Sequence, residues 1–227
     1  DNTFKRIDEI AVNTLKNCMQ FVFEDGPKRD RRLWLGDLRL EALTSYYTLR
    51  ADNLVRRCLY FFAAGDTNKY GFVPSFVYTY PNFFRGEWDL LDYSLLFVVT
   101  VCDYFEHTGD IETIKNLLNI CKLQLDSSEK LLDDKGIISC PYTDMTPFID
   151  WCEGLEKNTA LHGVYLYALD KFTVLLEKIN DSDTEKYKGL LNHGRICARK
   201  ELFDEKEGIF LNSRDNFQKN VHSQVWM

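Results

Sequence analysis

The sequence predicts an all-α fold that is built from helical hairpins. Most of its 227 residues fall in segments whose apolar side chains recur at the 3.6-residue period of an α-helix. A short turn with a central glycine recurs after pairs of these segments, in NKYGFV (68–73), DDKGII (133–138) and EKEGIF (205–210). Each repeat therefore holds two helices and a short excursion. Repeated antiparallel hairpins of this kind build either a superhelix or a closed ring.

The first three predicted helices have recognisable faces or ends. FKRIDEIAVNTLKNCMQFVF (4–23) brings seven apolar side chains near one face: Phe4, Ile7, Ile10, Ala11, Leu15, Cys18 and Met19. DLRLEALTSYYTLR (37–50) begins at Asp37, a residue type that caps helix N-termini. DNLVRRCLYFFAAG (52–65) ends at Gly65, a common C-terminal cap.

The remaining helices are longer and follow one another with short connections. WDLLDYSLLFVVTVCDYFEHTG (88–109) is mostly apolar, so we expect it to be buried on several sides, as an inner helix of a ring would be. A helix from Asp110 to about residue 132 follows at once. Three further segments continue the series, at 158–179, 182–202 and 217–227, and the last resembles the beginning of a helix.

Composition excludes several classes of function. The net charge of −7 argues against a nucleic-acid partner, and no apolar run is long enough to span a membrane. The N-terminus lacks the character of a signal peptide, so we expect a cytoplasmic location. Seven cysteines without a CxxC pair, and four scattered histidines, predict free thiols and no metal site. No glycine-rich phosphate-binding motif occurs, and we expect no cofactor.

The stretch EDGPKRDRRLWLGD (24–37) concentrates eight charged residues in a segment that Gly26 and Pro27 prevent from forming a regular helix. Asp25, Asp30 and Asp37 could converge on the mouth of one cavity. Cleavage of a glycosidic bond needs one carboxylic acid to protonate the leaving oxygen, and inversion needs a second carboxylate to activate water. The alternative interpretation is a loop of mutually neutralising ion pairs, with Asp37 as a helix cap.

The order and spacing within DGPKRDRRLWLGD (25–37) resemble the signature of the α-L-rhamnosidases of glycoside hydrolase family 78. Three later segments, which begin at residues 90, 148 and 202, are similar to later parts of the same family, in the same order. The resemblance implies an (α/α)6 barrel, also called a six-hairpin toroid. It also implies an enzyme that removes terminal α-L-rhamnose from oligosaccharides or glycosides with inversion, so the expected partner is a carbohydrate.

The resemblance assigns Asp30 as the general acid. It assigns Asp25, Asp37 and Arg29 to contacts with the sugar, and Trp34 to an aromatic wall beside the sugar ring. Well-studied members carry glutamate where this chain has Asp30. No residue matches the family's general base, which lies beyond the segment that ends at Met227. We therefore expect residues 1–227 to be one catalytic barrel domain without its last hairpins and without the family's upstream β-domains.

Three further residues are candidates for contacts with the substrate. Trp88 could line the cavity or pack in the core, and Asp150 and Trp151 lie in a loop before a helix that the resemblance brings to the pocket. Two alternative functions stay open. One is an α/α-barrel enzyme that acts on a different sugar, because of aspartate at position 30. The other is a non-catalytic helical module that binds carbohydrate or another partner.

Overall fold

The computed structural model describes residues 1–213 and 218–227. Its fold confirms the all-α prediction, with helices α1 to α8 in these residues. Their bounds are α1 Asn2–Cys18, α2 Leu35–Tyr47, α3 Asp52–Ala64, α4 Leu91–Thr108, α5 Ile111–Glu129, α6 Asn158–Ile179, α7 Thr184–Leu202 and α8 Val221–Trp226.

The helices alternate between an inner and an outer layer. Helices α2, α4, α6 and α8 pack side by side in that order, and α3, α5 and α7 pack against them from outside. Helix α4 is buried along nearly its whole length, as its apolar sequence predicted. Helix α6 is buried in the same way. The inner helices therefore form an arc with their N-terminal ends on one side.

The three predicted glycine turns share one local structure. Gly71, Gly136 and Gly208 all have positive φ angles, of 92°, 76° and 69°, which glycine adopts without strain. In the first turn Asn68 Oδ1 accepts hydrogen bonds from the backbone N–H groups of Tyr70 and Phe72, 3.0 Å each. Asp133 and Asp204 accept backbone N–H groups in the second and third turns. Each turn follows an outer helix and leads to the next inner helix.

Short strands hold these connecting segments in place. Strands β1 (Leu33–Trp34), β2 (Phe76–Tyr78) and β3 (Phe84–Arg85) form an antiparallel sheet in the order β1-β2-β3. Strand β4 (Asp89–Leu90) pairs in parallel with β5 (Met145–Thr146), and β6 (Phe203–Asp204) pairs with β7 (Ile209–Phe210). Strand β1 ends directly before α2, and β4 ends directly before α4. The sheets that contain them therefore fix where the chain enters these two inner helices.

The prediction that Asp37 caps a helix is wrong. Helix α2 begins at Leu35, its N-cap residue is Trp34, and Asp37 lies inside the first turn. The reason is the pairing of Trp34 with Phe76 of β2, together with a 3.0 Å hydrogen bond from the Leu35 N–H to the Ser75 carbonyl. These contacts keep the chain extended up to Trp34. The predicted cap at Gly65 is confirmed, and the structure also shows Gly109 as the C-cap of α4 and Asp110 as the N-cap of α5.

The first predicted helix also ends early. Helix α1 ends at Cys18, and the chain then folds back, with a bridge between Met19 and Phe23. Of the predicted apolar face, Leu15 is buried, whereas Phe4, Ile7 and Ile10 are exposed. All seven cysteines are free, as predicted. No helix in the described part of the chain is both long enough and apolar enough to cross a membrane.

A buried carboxylate joins three inner helices. Asp103 of α4 accepts a 3.1 Å hydrogen bond from Arg39 Nε of α2, and its other oxygen lies 3.0 Å from Lys171 Nζ of α6. Arg39 also donates a 2.9 Å hydrogen bond to the Tyr167 hydroxyl of α6. Asp103 is only 3 % exposed, so these cations replace the water that its charge would otherwise need.

We expect Asp103→Ala to lower the free energy of unfolding by about 3 kcal/mol or more, because it leaves Arg39 and Lys171 without their shared anion. Denaturant unfolding measures this change. The control is Glu106→Ala, which removes the other, more exposed partner of Lys171 and should cost less than about 1 kcal/mol. Equal losses for the two variants would contradict a special role for the buried carboxylate.

Candidate active site

The charged loop folds into a narrow turn ahead of β1. The Asp25 N–H donates a 2.9 Å hydrogen bond to the Arg32 carbonyl, and the Arg29 N–H donates a 2.7 Å bond to the Gly26 carbonyl. Gly26 has a φ of 56°, and a Cβ there would lie 3.1 to 3.3 Å from atoms of Arg29 and Asp30. Glycine thus lets the turn bring the charged side chains together.

Only part of the loop's charge is neutralised within the loop. Arg29 Nη2 lies 2.8 Å from Asp25 Oδ2, and Arg31 Nε lies 3.2 Å from Glu24 Oε2. Asp30 Oδ1 lies 3.7 Å from Arg29 Nη2 but accepts no hydrogen bond within the described residues, although the atom is buried. The ion-pair interpretation therefore fits Glu24 and Asp25 closely, whereas Asp30 has a longer ion pair with Arg29 and no hydrogen bond to its Oδ1.

Asp37 faces this loop from the first turn of α2. Its pKa is raised from 3.8 to about 6, first by burial and then by the negative charges of Asp25 and Asp30, while Arg29 lowers it. Asp25 and Asp30 thus lie close enough to Asp37 to raise its pKa. The sequence predicted that they would converge, and the electrostatics of the described loop support this.

A fourth carboxyl group, Glu41, was missed in the sequence. It lies one turn after Asp37 on α2, and its pKa is raised from 4.5 to about 7, first by burial and then by Asp37. Hydrogen bonding to Cys18 lowers the pKa in part, and Glu41 Oε2 has no hydrogen-bond partner among the described residues. The four-residue spacing in DLRLE (37–41) was the signal that could have identified it.

Aromatic rings form a row across the ends of the inner helices. Trp34 and Tyr93 meet edge to face with 6.2 Å between ring centroids, Tyr93 and Phe148 at 5.8 Å, and Phe148 and Trp151 at 5.1 Å. Burial, and then the charges of Asp37 and Asp92, raise the pKa of the Tyr93 hydroxyl. The row therefore begins beside the charged loop and ends at Trp151, which is exposed.

The loop that carries Asp150 and Trp151 is tied to two helices. Asp92 of α4 accepts hydrogen bonds from the N–H groups of Phe148 (2.8 Å) and Ile149 (2.9 Å). Asp150 Oδ2 lies 2.7 Å from His222 Nε2 at the start of α8, and this hydrogen bond lowers the pKa of Asp150. His222 was not among the predicted site residues, because its partner lies far away in the sequence.

Trp88 stands apart from these groups. It is 60 % exposed and lies in the loop between β3 and β4, outside the row of rings from Trp34 to Trp151. Within the described residues, no cluster of three or more His, Cys, Asp or Glu side chains has the arrangement of a metal site.

Comparison with known proteins decides the family. Residues 1–221 match the family model described as the bacterial alpha-L-rhamnosidase six-hairpin glycosidase domain. The chain belongs to this family. No curated protein sequence matches it. For this rhamnosidase-family chain, the fold is accordingly part of a six-hairpin α/α barrel, which removes the superhelix as an alternative.

Three solved structures are similar to this member of the rhamnosidase family. A rhamnosidase from Klebsiella oxytoca with rhamnose bound is 37 % identical, with a TM-score of 0.92. The match covers 100 % of this chain and 44 % of that one, so the chain spans less than half of that relative. The family 78 rhamnosidase of Bacillus sp. GL1 is 19 % identical, with a TM-score of 0.76, and the match covers 92 % of this chain and 22 % of that one. The α-L-rhamnosidase of Dictyoglumus thermophilum is 15 % identical, with a TM-score of 0.67, and the match covers 92 % of this chain and 24 % of that one. At these low identities, the Bacillus and Dictyoglumus structures show the fold alone.

The raised pKa values of Asp37 and Glu41 predict a pH-dependent stability. Between about pH 4 and pH 7 these two groups bind more protons in the folded rhamnosidase-family domain than in the unfolded chain, so their contribution to the free energy of unfolding falls as the pH rises. We expect Glu41→Gln to make this decline shallower, because it removes one of the two carboxyl groups with a raised pKa. Denaturant unfolding at about pH 5 and about pH 8 measures the slope.

The control for this comparison is Glu112→Gln, at an exposed position in the first turn of α5. It should leave the slope of the wild type unchanged. A slope in Glu41→Gln as steep as that of the wild type would contradict the assignment of a raised pKa to Glu41.

Proposed function

We propose that this chain forms part of the catalytic barrel of an α-L-rhamnosidase, which removes terminal α-L-rhamnose from oligosaccharides or glycosides by an inverting acid/base mechanism. The observation that carries the proposal is the group of interacting carboxyl side chains of Asp25, Asp30 and Asp37 beside Trp34, in a chain of the rhamnosidase family. The Klebsiella oxytoca relative has rhamnose bound, which favours the same sugar class here.

Asp30 is the proposed general acid. As the bond between the anomeric carbon and the glycosidic oxygen breaks, the Asp30 carboxyl group transfers its proton to that oxygen, and the alcohol leaves. A water molecule attacks the anomeric carbon from the opposite face and gives its proton to a carboxylate base. Asp30 Oδ1 accepts no hydrogen bond from the described residues, and this supports the role, because no such bond has to break when the carboxyl group takes up a proton.

The residues around Asp30 are proposed to hold the sugar. Arg29 and Asp25 form an ion pair whose arginine is largely exposed, so its remaining N–H groups can donate to sugar hydroxyls. Asp37 titrates close to pH 6 and can accept or donate a hydrogen bond near that pH. Trp34 offers a flat apolar surface to the C–H groups of the ring.

The far wall of the proposed pocket is assigned to the loop before α6. Asp150 and Trp151 end the row of rings that begins at Trp34, and the bond between Asp150 and His222 fixes this loop to α8. Trp88 has a weaker claim because it lies outside the row. We assign it to the rim, where it could contact only a substrate that extends beyond the first sugar.

We also propose that residues 1–227 are one barrel domain that further hairpins complete. Large apolar side chains are exposed on the first and last inner helices of the arc, Leu40 and Tyr47 on α2 and Val221 and Val225 on α8. Exposed apolar surface of this kind indicates a missing partner, and the longer Klebsiella relative offers the extra length. The general base would come from that part. The free cysteines suit a reducing compartment, so we propose the cytoplasm.

A second candidate is hydrolysis of a different sugar on the same fold. It is favoured by aspartate at position 30, which is one methylene shorter than glutamate and shifts the acid relative to the glycosidic oxygen. A screen of the full-length protein against aryl glycosides of several sugars separates the two functions. Turnover of the rhamnoside alone rejects the second candidate.

We expect Asp30→Asn in the full-length protein to lower kcat on p-nitrophenyl α-L-rhamnopyranoside by at least about 100-fold, because the amide cannot donate the proton. The loss should be smaller on a dinitrophenyl rhamnoside, whose better leaving group needs less protonation. Initial rates on the two substrates measure both effects.

The matched control is Lys28→Gln, an exposed change of charge in the same loop, which should retain the wild-type rate on both substrates. Full activity of Asp30→Asn, or equal losses on the two leaving groups, would reject Asp30 as the acid.

A further inference from the structure

The sheet that carries Trp34 continues as an aromatic surface away from Asp30. Trp34 and Phe76 lie 4.2 Å apart between ring centroids, and Tyr78 and Phe84 stack at 4.1 Å with an angle of 21° between their planes. Phe76 and Tyr78 meet edge to face at 5.4 Å and join the two pairs. These contacts connect Trp34 to the third strand through Phe76, which is only 1 % exposed, so Tyr78 and Phe84 form the accessible aromatic surface beyond it.

The distal end of this surface is open to solvent. Phe84 is 44 % exposed, although its ring stacks on Tyr78. Tyr80 and Phe83 in the same hairpin are also exposed, as is Trp88 in the loop that follows it. Exposed aromatic side chains that cluster beside a proposed active site are typical of sites where flat rings bind, because burial of apolar ring faces is favourable.

Arg32 adds a positive charge to the same surface. Its guanidinium lies 5.0 Å above the ring centroids of both Phe76 and Tyr78. Arg29 and Arg31 of the same loop have carboxylate partners. In the described part of the chain, by contrast, no carboxylate lies within ion-pair distance of Arg32, and its buried Nε has no hydrogen-bond acceptor. A part-buried guanidinium without an anion indicates a place for an external one.

We propose that Arg32 and the accessible rings of Tyr78 and Phe84 bind the leaving-group side of the substrate, beside the rhamnose on Trp34, and that this group is a uronic acid residue. The C–H faces of a pyranose ring pack on aromatic rings, and a carboxylate pairs with the forked guanidinium donors. Arg32 and Trp34 both contact the Phe76 ring, so this site adjoins the residue that is proposed to hold the rhamnose. This inference rests on the proposed function for the order of the two sugars.

The test is binding of methyl β-D-glucuronide and methyl β-D-glucoside to the full-length protein, measured by ligand-observed NMR titration. The two probes differ in the carboxylate, and neither contains rhamnose. We expect the glucuronide to bind at least about 10-fold more tightly, since a charge-assisted pair contributes that much. Arg32→Gln should abolish the preference, and Lys28→Gln should retain it. Phe84→Ala should weaken the binding of both probes.

Equal binding of the two probes to the wild-type protein, or a preference that Arg32→Gln leaves intact, overturns the proposal. If Arg32→Gln does not fold, the wild-type preference and its response to Phe84→Ala decide the matter. Glucuronide binding that depends on Arg32, without hydrolysis of any rhamnoside, would support this site and reject the proposed rhamnosidase activity. Rhamnoside hydrolysis without a preference for the glucuronide would support the proposed rhamnosidase activity and reject this site.

Discussion

The buried Asp103 carboxylate is the interaction on which the arrangement of the inner helices depends most. Arg39 and Lys171 reach it from the two neighbouring inner helices, so its charge can be balanced only when α2, α4 and α6 lie in one relative position. Apolar packing alone tolerates small rotations of helices, whereas a buried ion network requires defined distances. The positions of the helix ends, and of the loops that precede them, therefore also depend on this ion network.

Near the N-terminal end of α2, by contrast, several carboxyl groups lie close together with little positive charge to balance them. Asp25, Asp30, Asp37 and Glu41 lie near one another, with Arg29 as their closest cation. Burial, and then this crowding, raises the pKa values of Asp37 and Glu41, and the loss of their protons above about pH 6 lowers stability. Carboxyl groups with raised pKa values are typical of acid/base sites, which would give this loss of stability a chemical reason.

Local sequence patterns predicted most of the fold. Apolar periodicity identified the helices, and the glycine turns at Gly71, Gly136 and Gly208 revealed the repeat, since both depend on neighbouring residues. The start of α2 depended on pairing between Trp34 and Phe76, 42 residues away, and was predicted wrongly. The contact of Asp150 with His222 is non-local in the same way. The site roles of Asp30 and its neighbours were implied by the family signature and stay proposals.

The measurement that tests the central claim most directly is a crystal structure of the full-length protein with L-rhamnose bound. We expect a sugar ring that packs on Trp34, with Arg29 and Asp37 at its hydroxyl groups. We also expect the Asp30 carboxyl group to lie within about 3 Å of the anomeric oxygen, the reach that proton transfer requires. Rhamnose bound elsewhere, or bound with Asp30 out of reach of that oxygen, would contradict the assignment of the charged loop as the active site.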